Sequence, residues 1–233
     1  MSRTPDLMAK VSLLRTAEEV FAEKGLENAK VEEIAKRAGL SKGSFYLHFT
    51  SKEEAFQQVV ESFLARCSSL IPEPDQDVPK DADGALGFMY EHDLSTFEYF
   101  WQSRDFLRIM ESCNGDQAYL RDAFLDDTVK NSQRWVRTWQ ALGLFRPDAD
   151  DGVAASLICG GYRELVRRMT AAEKKPPIGE WLRDSQRVFV RGLGTDELIR
   201  AQERRDVAHR SKGEVTSIDV KKKKAAARGA SRG

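Results

Sequence analysis

Residues 30–54 read KVEEIAKRAGLSKGSFYLHFTSKEE, and the spacing of apolar and small residues in this stretch decides the architecture around it. Ile34, Ala35 and Ala38 share one face of a short helix, and Leu40, Phe45 and Phe49 share one face of another. Gly39-Leu40-Ser41 makes the tight turn between them. Two such helices cannot close a core alone, so a preceding helix must complete it. That helix is legible in Leu7, Val11, Leu14, Ala17 and Phe21, with Thr4 and Pro5 as cap and first-turn proline and Gly25 as its stop. Downstream, Ser51 and Glu54 form an S-x-x-E capping box. The fourth helix it starts carries its apolar face on Phe56, Val59, Val60, Phe63, Leu64 and Cys67.

The second short helix opens with small and basic residues, Ser41-Lys42-Gly43-Ser44. A helix that enters the major groove of DNA does so by its N-terminal residues, and small side chains there allow close approach. Ser41, Gly43 and Ser44 fit that approach, and the end turn offers backbone N–H groups to phosphate. Lys42 can reach base-edge acceptors or a phosphate. Tyr46, His48 and Lys52 can donate to phosphates beside the groove. Each has a plainer reading as well, Tyr46 as a core aromatic and His48 as a structural histidine. The stretch GLSKGS at 39–44 superficially suggests a phosphate loop but lacks the G-x-x-x-x-G-K-[ST] spacing, which excludes nucleotide binding there.

The run I-A-x-x-A-G-L-S-x-G-x-x-Y-x-H-F-x-x-K-E stands here as Ile34, Ala35, Ala38, Gly39, Leu40, Ser41, Gly43, Tyr46, His48, Phe49, Lys52 and Glu53. It resembles the DNA-binding head of the TetR (tetracycline repressor) family, and the likeness spans about residues 7–64. The resemblance implies an all-α homodimer with a helix-turn-helix head over residues 1–50, a linking helix over 51–71 and a helical ligand-binding and dimerisation body over 72–210. It further implies a pseudo-palindromic double-stranded DNA operator and repression relieved by a small-molecule effector. Heads of this kind often carry Ser or Thr where the second helix starts. This chain has Ala29-Lys30, with Asn28 the nearest capping side chain, and Lys30 takes over the phosphate contact as a charged group.

Beyond the head, the stretch from Pro72 to Gly84 holds three prolines and five acids and reads as a loop. Helices are predicted near 85–101, 106–113, 117–141, 150–174, 178–192 and 195–210, with a break at 143–148 and no convincing strand. Aromatic residues are dense at Phe97, Phe100, Trp101, Phe106, Phe124, Trp135 and Trp139. One at a time they read as core. The resemblance implies that Phe97, Phe100, Trp101, Phe106, Tyr119, Trp135 and Trp139 line an effector pocket, with Tyr99, Asn114 and Gln133 as polar groups near it. Small residues from Ala154 to Gly161 let helices approach closely, either within the chain or across a four-helix seam between two copies. The seam reading takes Ala155, Cys159 and Gly160 with Trp181 and Phe189 on the last long helix.

Composition narrows the function classes. Hydrophobic residues are 41% and charged residues 32%, which is enough for a core and too apolar for wholesale disorder. The formal net charge is zero, yet residues 200–233 hold eleven Lys and Arg against four Asp and Glu, so the tail carries +7 and the rest −7. Residues 211–233 read as a disordered basic tail. An acidic body suits DNA binding through a local patch, not a surface that coats nucleic acid. The alternative reading of the motif is an architectural or nucleoid-associated DNA binder without a small-molecule switch. No apolar run of about 18 residues is present, so no membrane partner is expected. The N-terminus lacks a secretory apolar stretch, and three scattered cysteines suit a reduced cytoplasm. His48, His92 and His209 show no ligand spacing with one another or with the cysteines, so neither a metal nor a cofactor is expected. No nucleophile–base grouping assembles, so catalysis is not expected.

Overall fold

A computed structural model describes residues 6–70, 72–74, 78–112 and 118–209. Thr4, Pro5, Cys113, Asn114 and the tail 211–233 lie outside the described residues. The elements are α1 (Leu7–Asn28), α2 (Val31–Arg37), α3 (Lys42–Tyr46), α4 (Lys52–Ser69), α5 (Ala82–Gln102), α6 (Arg104–Ser112), α7 (Ala118–Ala141), α8 (Asp151–Thr170) and α9 (Ile178–Leu193). A further helix, α10, covers 196–209. The all-α class read from the sequence holds. β-type pairing among the described residues is limited to a bridge between Phe145 and Gly194, where the N–H groups of Arg146 and Thr195 donate to the carbonyls of Leu193 and Leu144 at 2.7 and 2.9 Å. This pairing ties the α9–α10 junction to the α7–α8 turn.

Side-chain caps set several helix starts. Asp6 caps α1, accepting the N–H of Met8 at 2.9 Å. Ser41 caps α3 through the N–H of Ser44 at 3.1 Å. The predicted capping box of α4 is present in a shifted form. Ser51 Oγ accepts the N–H of Glu54 at 3.1 Å, while Glu54 reaches back past Ser51 to accept both the N–H and the hydroxyl of Thr50 at 2.6 Å. Asp81 and Asp150 cap α5 and α8, each at 2.8 Å. Asp81 stands inside the predicted loop, so α5 begins at Ala82, three residues before the expected position.

The head closes as its sequence requires. Leu13, Ala17, Val20 and Phe21 of α1 pack on Ile34 and Ala35 of α2, Phe45 of α3, Phe49, and Phe56, Val59, Val60 and Phe63 of α4. The expected apolar face of α1 is correct at Ala17 and Phe21 but not at its start, where Leu7 and Val11 are 74% and 54% exposed. Periodicity gives the angle of a face around a helix, not how far a neighbour extends along it. The head core does not stop at α4. Phe106 and Met110 of α6 join it, with the Phe106 ring 6.4 Å from Phe56 and 5.1 Å from Phe63.

A polar joint lies beside this aromatic one. Arg66 of α4 donates to Tyr99 Oη of α5 at 2.8 Å and to both carboxylate oxygens of Glu18 of α1 at 2.9 Å, and Tyr99 stacks on Phe63 at 5.8 Å. In the body, α7 and α8 run as a hairpin, and α5 lies against α8 and α9. One part of the interior gathers Leu86, Trp139, Leu144, Val190 and Leu198. Another gathers Phe97, Met169, Ile178 and Leu182.

Gly25 does not end α1 but bends it. Its φ of 74° and ψ of 168° turn the last residues of the helix toward α2. Open space surrounds the position where a Cβ would stand, so the requirement for glycine is one of backbone conformation alone. Gly25→Ala should therefore lower stability by about 1–3 kcal/mol without a steric clash. Urea unfolding followed by far-ultraviolet dichroism measures this, and an unchanged midpoint would mean that the bend relaxes freely.

Candidate nucleic-acid interface

The exposed side of the head is built on α3, a helix of five residues. Phe45 and Phe49 hold it from below, 5.1 Å apart and both buried. With those two side chains inward, Ser41, Lys42, Gly43 and Tyr46 face outward, and Ser44 and His48 are partly covered. Ser41 and Ser44 share a hydroxyl–hydroxyl hydrogen bond of 2.9 Å, so the cap also orders the small first turn. The Tyr46 ring meets Phe45 edge-on at 5.5 Å, yet 49% of the residue stays exposed. It is not a core aromatic.

The ammonium of Lys42 lies 2.6 Å from the carboxylate of Glu32 on α2 and 6.0 Å from the Tyr46 ring centre. The hydrogen bond between Lys42 and Glu32 holds that carboxyl below its usual range and raises the lysine. Sequence reasoning overlooked Glu32. Lys52 donates to the carbonyl of Glu27 at 3.2 Å and so braces the end of α1. Lys30 is the exposed N-cap residue of α2 and makes no side-chain cap bond. Asn28 does not cap α2 either. Its amide donates to the Lys24 carbonyl at 3.2 Å. The α1–α2 pair is instead laced by ions, with Lys24–Glu33 at 2.6 Å and Arg37 on both Glu23 and Glu33 at 2.7 Å. These bonds lower Glu23 and Glu33 and raise Arg37.

The expected pocket residues do not form one constellation. Phe106 belongs to the head core. Trp135 and Trp139 stack at 5.3 Å beside Phe88. Phe97, Phe100 and Trp101 pack with Tyr162 and Trp181. Tyr119 is 56% exposed at the start of α7, 3.4 Å from Gln57. The resemblance grouped seven aromatics that are spread along three helices, but adjacent turns of a helix face different neighbours.

Between Phe97 and Tyr162 lies a group that the sequence reading passed over. Asp93 interrupts the apolar stripe Tyr90, Leu94, Phe97 and Trp101 of α5, and a carboxylate inside such a stripe was the available signal. It accepts a hydrogen bond from the Tyr162 hydroxyl of α8. Burial raises its carboxyl to about 7, against the opposing effect of that hydrogen bond, and burial likewise raises the phenol of Tyr162.

The expected seam residues also divide. Ala155 is completely buried within the chain, and the Cys159 thiol lies 3.2 Å from Ser132 Oγ of α7. These two positions, four residues apart, share the inner face of α8. The outer face carries Val153, Leu157, Gly160 and Gly161, with Val153 60% and Leu157 67% exposed. On α9 Val188 is exposed, while Trp181 and Phe189 are partly covered, Trp181 beneath the Arg168 guanidinium at 5.4 Å.

Residues 13–59, from α1 to α4, match the family described as bacterial regulatory proteins, tetR family. The HTH-type transcriptional regulator YdgC of Bacillus subtilis (strain 168) is 43% identical over 169 residues, 71% of this chain and 83% of that one. Among solved structures, SmeT, the repressor of the Stenotrophomonas maltophilia multidrug efflux pump SmeDEF, shares the fold with a TM-score of 0.69 at 19% identity, over 81% of this chain and 92% of its own. SmeT in complex with triclosan matches with a TM-score of 0.64 at 19% identity, over 82% and 93%. No helix among the described residues is long and apolar enough to cross a membrane.

The position of Asp93 has a measurable pH signature. Its folded-state carboxyl titrates at about 7, above the ordinary value of 3.8, so the folded state prefers the protonated form. The group therefore lowers stability progressively as pH rises from about 4 to about 7, and no further above that. Asp93→Asn removes the ionisation. The variant should match the wild type near pH 4 and exceed it at pH 8 by on the order of 4 kcal/mol. Parallel stability–pH curves for the two proteins would show that Asp93 titrates normally.

Proposed function

The chain belongs to the tetR family of bacterial regulatory proteins, and from that we propose that it is a homodimeric repressor that grips a pseudo-palindromic operator and releases it when a small molecule enters its body. The observation that carries the reading is the exposed row of Lys42, Gly43 and Tyr46 on a short helix whose other side is locked into the head core. Lys42 occupies the first turn, where the side chains of a groove-bound helix meet base edges. Its ammonium donates to guanine O6 and N7 once the exposed pair with Glu32 opens. Such pairs are worth about 0–1 kcal/mol, so phosphate and base acceptors displace Glu32 at little cost. Tyr46 stands one turn later and reaches a phosphate, with Ser41, Ser44, His48, Lys52 and Lys30 bordering the same strand.

The effector reading draws on the likeness to SmeT, which is described in complex with triclosan. A small apolar or aromatic molecule in the body shifts the heads only as far as it binds one head spacing better than the other. The dimer reading draws on the outer face of α8 and α9. Val153, Leu157, Gly160 and Val188 give that face apolar and small residues that stand largely exposed among the described residues.

Two experiments test these assignments. Against a randomised operator library at fixed salt, Lys42→Ala should cost about 1–3 kcal/mol per half-site and relax preference at one or two base pairs. Tyr46→Phe should weaken all sequences about equally, because it removes a donor and leaves the ring packed. A uniform loss for Lys42→Ala together with altered base preference for Tyr46→Phe would reverse the roles. For the seam, Gly160 faces open space in the single chain, so Gly160→Arg is accommodated in a folded monomer. Buried against a second copy, the unpaired guanidinium should cost several kcal/mol. Sedimentation should show monomer, and a folded variant that remains fully dimeric would move the seam elsewhere.

A further inference from the structure

Asp93 stands deep between α5 and α8, and one protein donor is recorded on its carboxylate, the Tyr162 hydroxyl. An ionised carboxylate offers about four acceptor positions, so most of its capacity is unused. One turn along the same face of α5, the Thr96 hydroxyl is buried without a hydrogen-bond partner. Both residues nonetheless keep part of their surface accessible. Rings enclose the place: Phe97 meets Tyr162 edge-on at 5.4 Å, Phe189 meets Tyr162 at 5.6 Å, and Phe100 lies 6.1 Å from Phe97.

Several arginines of the surrounding helices have partners of their own. On α9, Arg183 lies over the Tyr90 ring at 5.0 Å, and Arg187 pairs with Asp184 at 2.8 Å and Asp206 at 2.9 Å. On α6, Arg104 lies over Trp101 at 4.5 Å, and Arg108 holds Asp105 at 2.9 Å and the Thr170 carbonyl at 2.6 Å. The titratable neighbours are Tyr162 and Cys159 of α8, both raised by burial, and His92 of α5, lowered by burial. None of them supplies a counter-cation.

We propose that the body of this protein binds an organic cation, an ammonium or amidinium group on an apolar frame, with the charge seated on the Asp93 carboxylate and the frame among Phe97, Phe100, Tyr162 and Phe189. The proposal rests on the effector reading above and assigns its chemical class. A cation supplies the counter-charge that the enclosed carboxylate lacks, and aromatic ring faces attract it as well. An anion meets repulsion, and a neutral ligand supplies no counter-charge. Because Asp93 holds a proton up to near neutral pH, cation binding expels that proton and strengthens as pH rises.

The test uses three single-ring probes of different charge: benzylammonium, benzyl alcohol and phenylacetate. Each is titrated into the full chain at pH 6 and pH 8, read by calorimetry and tryptophan fluorescence. The ammonium should bind at least about tenfold more tightly than the alcohol at pH 8, with phenylacetate weakest, and its affinity should fall several-fold at pH 6 while that of the alcohol stays constant. Asp93→Asn should abolish both the preference and the pH dependence. Tyr162→Phe keeps the carboxylate but removes its donor, so the preference should persist with its onset moved to higher pH, which guards against a loss caused by misfolding. Equal affinity for ammonium and alcohol, or a preference that survives Asp93→Asn, overturns the cation class and leaves an effector site in the body. Binding by none of the three overturns the cation class and also denies the body a site for single-ring ligands.

Discussion

The packing of Phe106 against Phe56 and Phe63 carries the head core into the body. The α4 helix is common to both: its lower turns complete the three-helix head, and its upper turns meet α5 and α6. Arg66 repeats the connection in polar form, joined to Glu18 in the head and Tyr99 in the body. A displacement of α4 against α5 therefore has to break or carry these contacts together. The angle at which α3 is presented depends on this joint, since its Phe45 is buried in the core that α4 closes.

A helix of five residues has little stability of its own, because helix nucleation is unfavourable and a short run repays few hydrogen bonds. Here Ser41 satisfies its first turn, and Phe45 with Phe49 holds it down. Lys42 and Tyr46 of α3 are thereby turned outward. The ion pair between Lys42 and Glu32 joins an exposed cation of that surface to α2, at the small energy of a solvent-exposed pair. The neighbouring network of Lys24, Glu33, Arg37 and Glu23 stiffens the α1–α2 platform on which α3 rests.

The body follows another logic. Its aromatic residues are shared among three packed regions, so no single residue of the set defines an interior site. What distinguishes one region chemically is the Asp93–Tyr162 pair. A buried charge with one donor is a cost to folding, offset elsewhere by packing, and it gives the interior a sign that the surrounding rings do not have.

The head was legible in the sequence because its contacts are nearly local. Ile34, Ala35, Phe45 and Phe49 lie within sixteen residues of one another, and spacing at helical period determines which of them share a face. Capping residues were legible for the same reason: Ser51 with Glu54 acts within one turn. The α4 face from Phe56 to Cys67 was read correctly throughout. Contacts between segments far apart in the chain were decided by tertiary structure alone. Periodicity placed Leu7 and Val11 on an apolar face but could not show that α1 outruns its neighbours. Aromatic density grouped Phe106 with Trp139, although one closes the head and the other fills the far body. The small residues of α8 suggested close approach, yet only packing against α7 determined that Ala155 and Cys159 turn inward while Val153, Leu157 and Gly160 turn out. Tyr162 and Asp93 stand 69 positions apart, and their pairing depends on how α5 crosses α8. A pattern along one helix specifies the direction of each side chain, and only the folded chain supplies what stands in that direction.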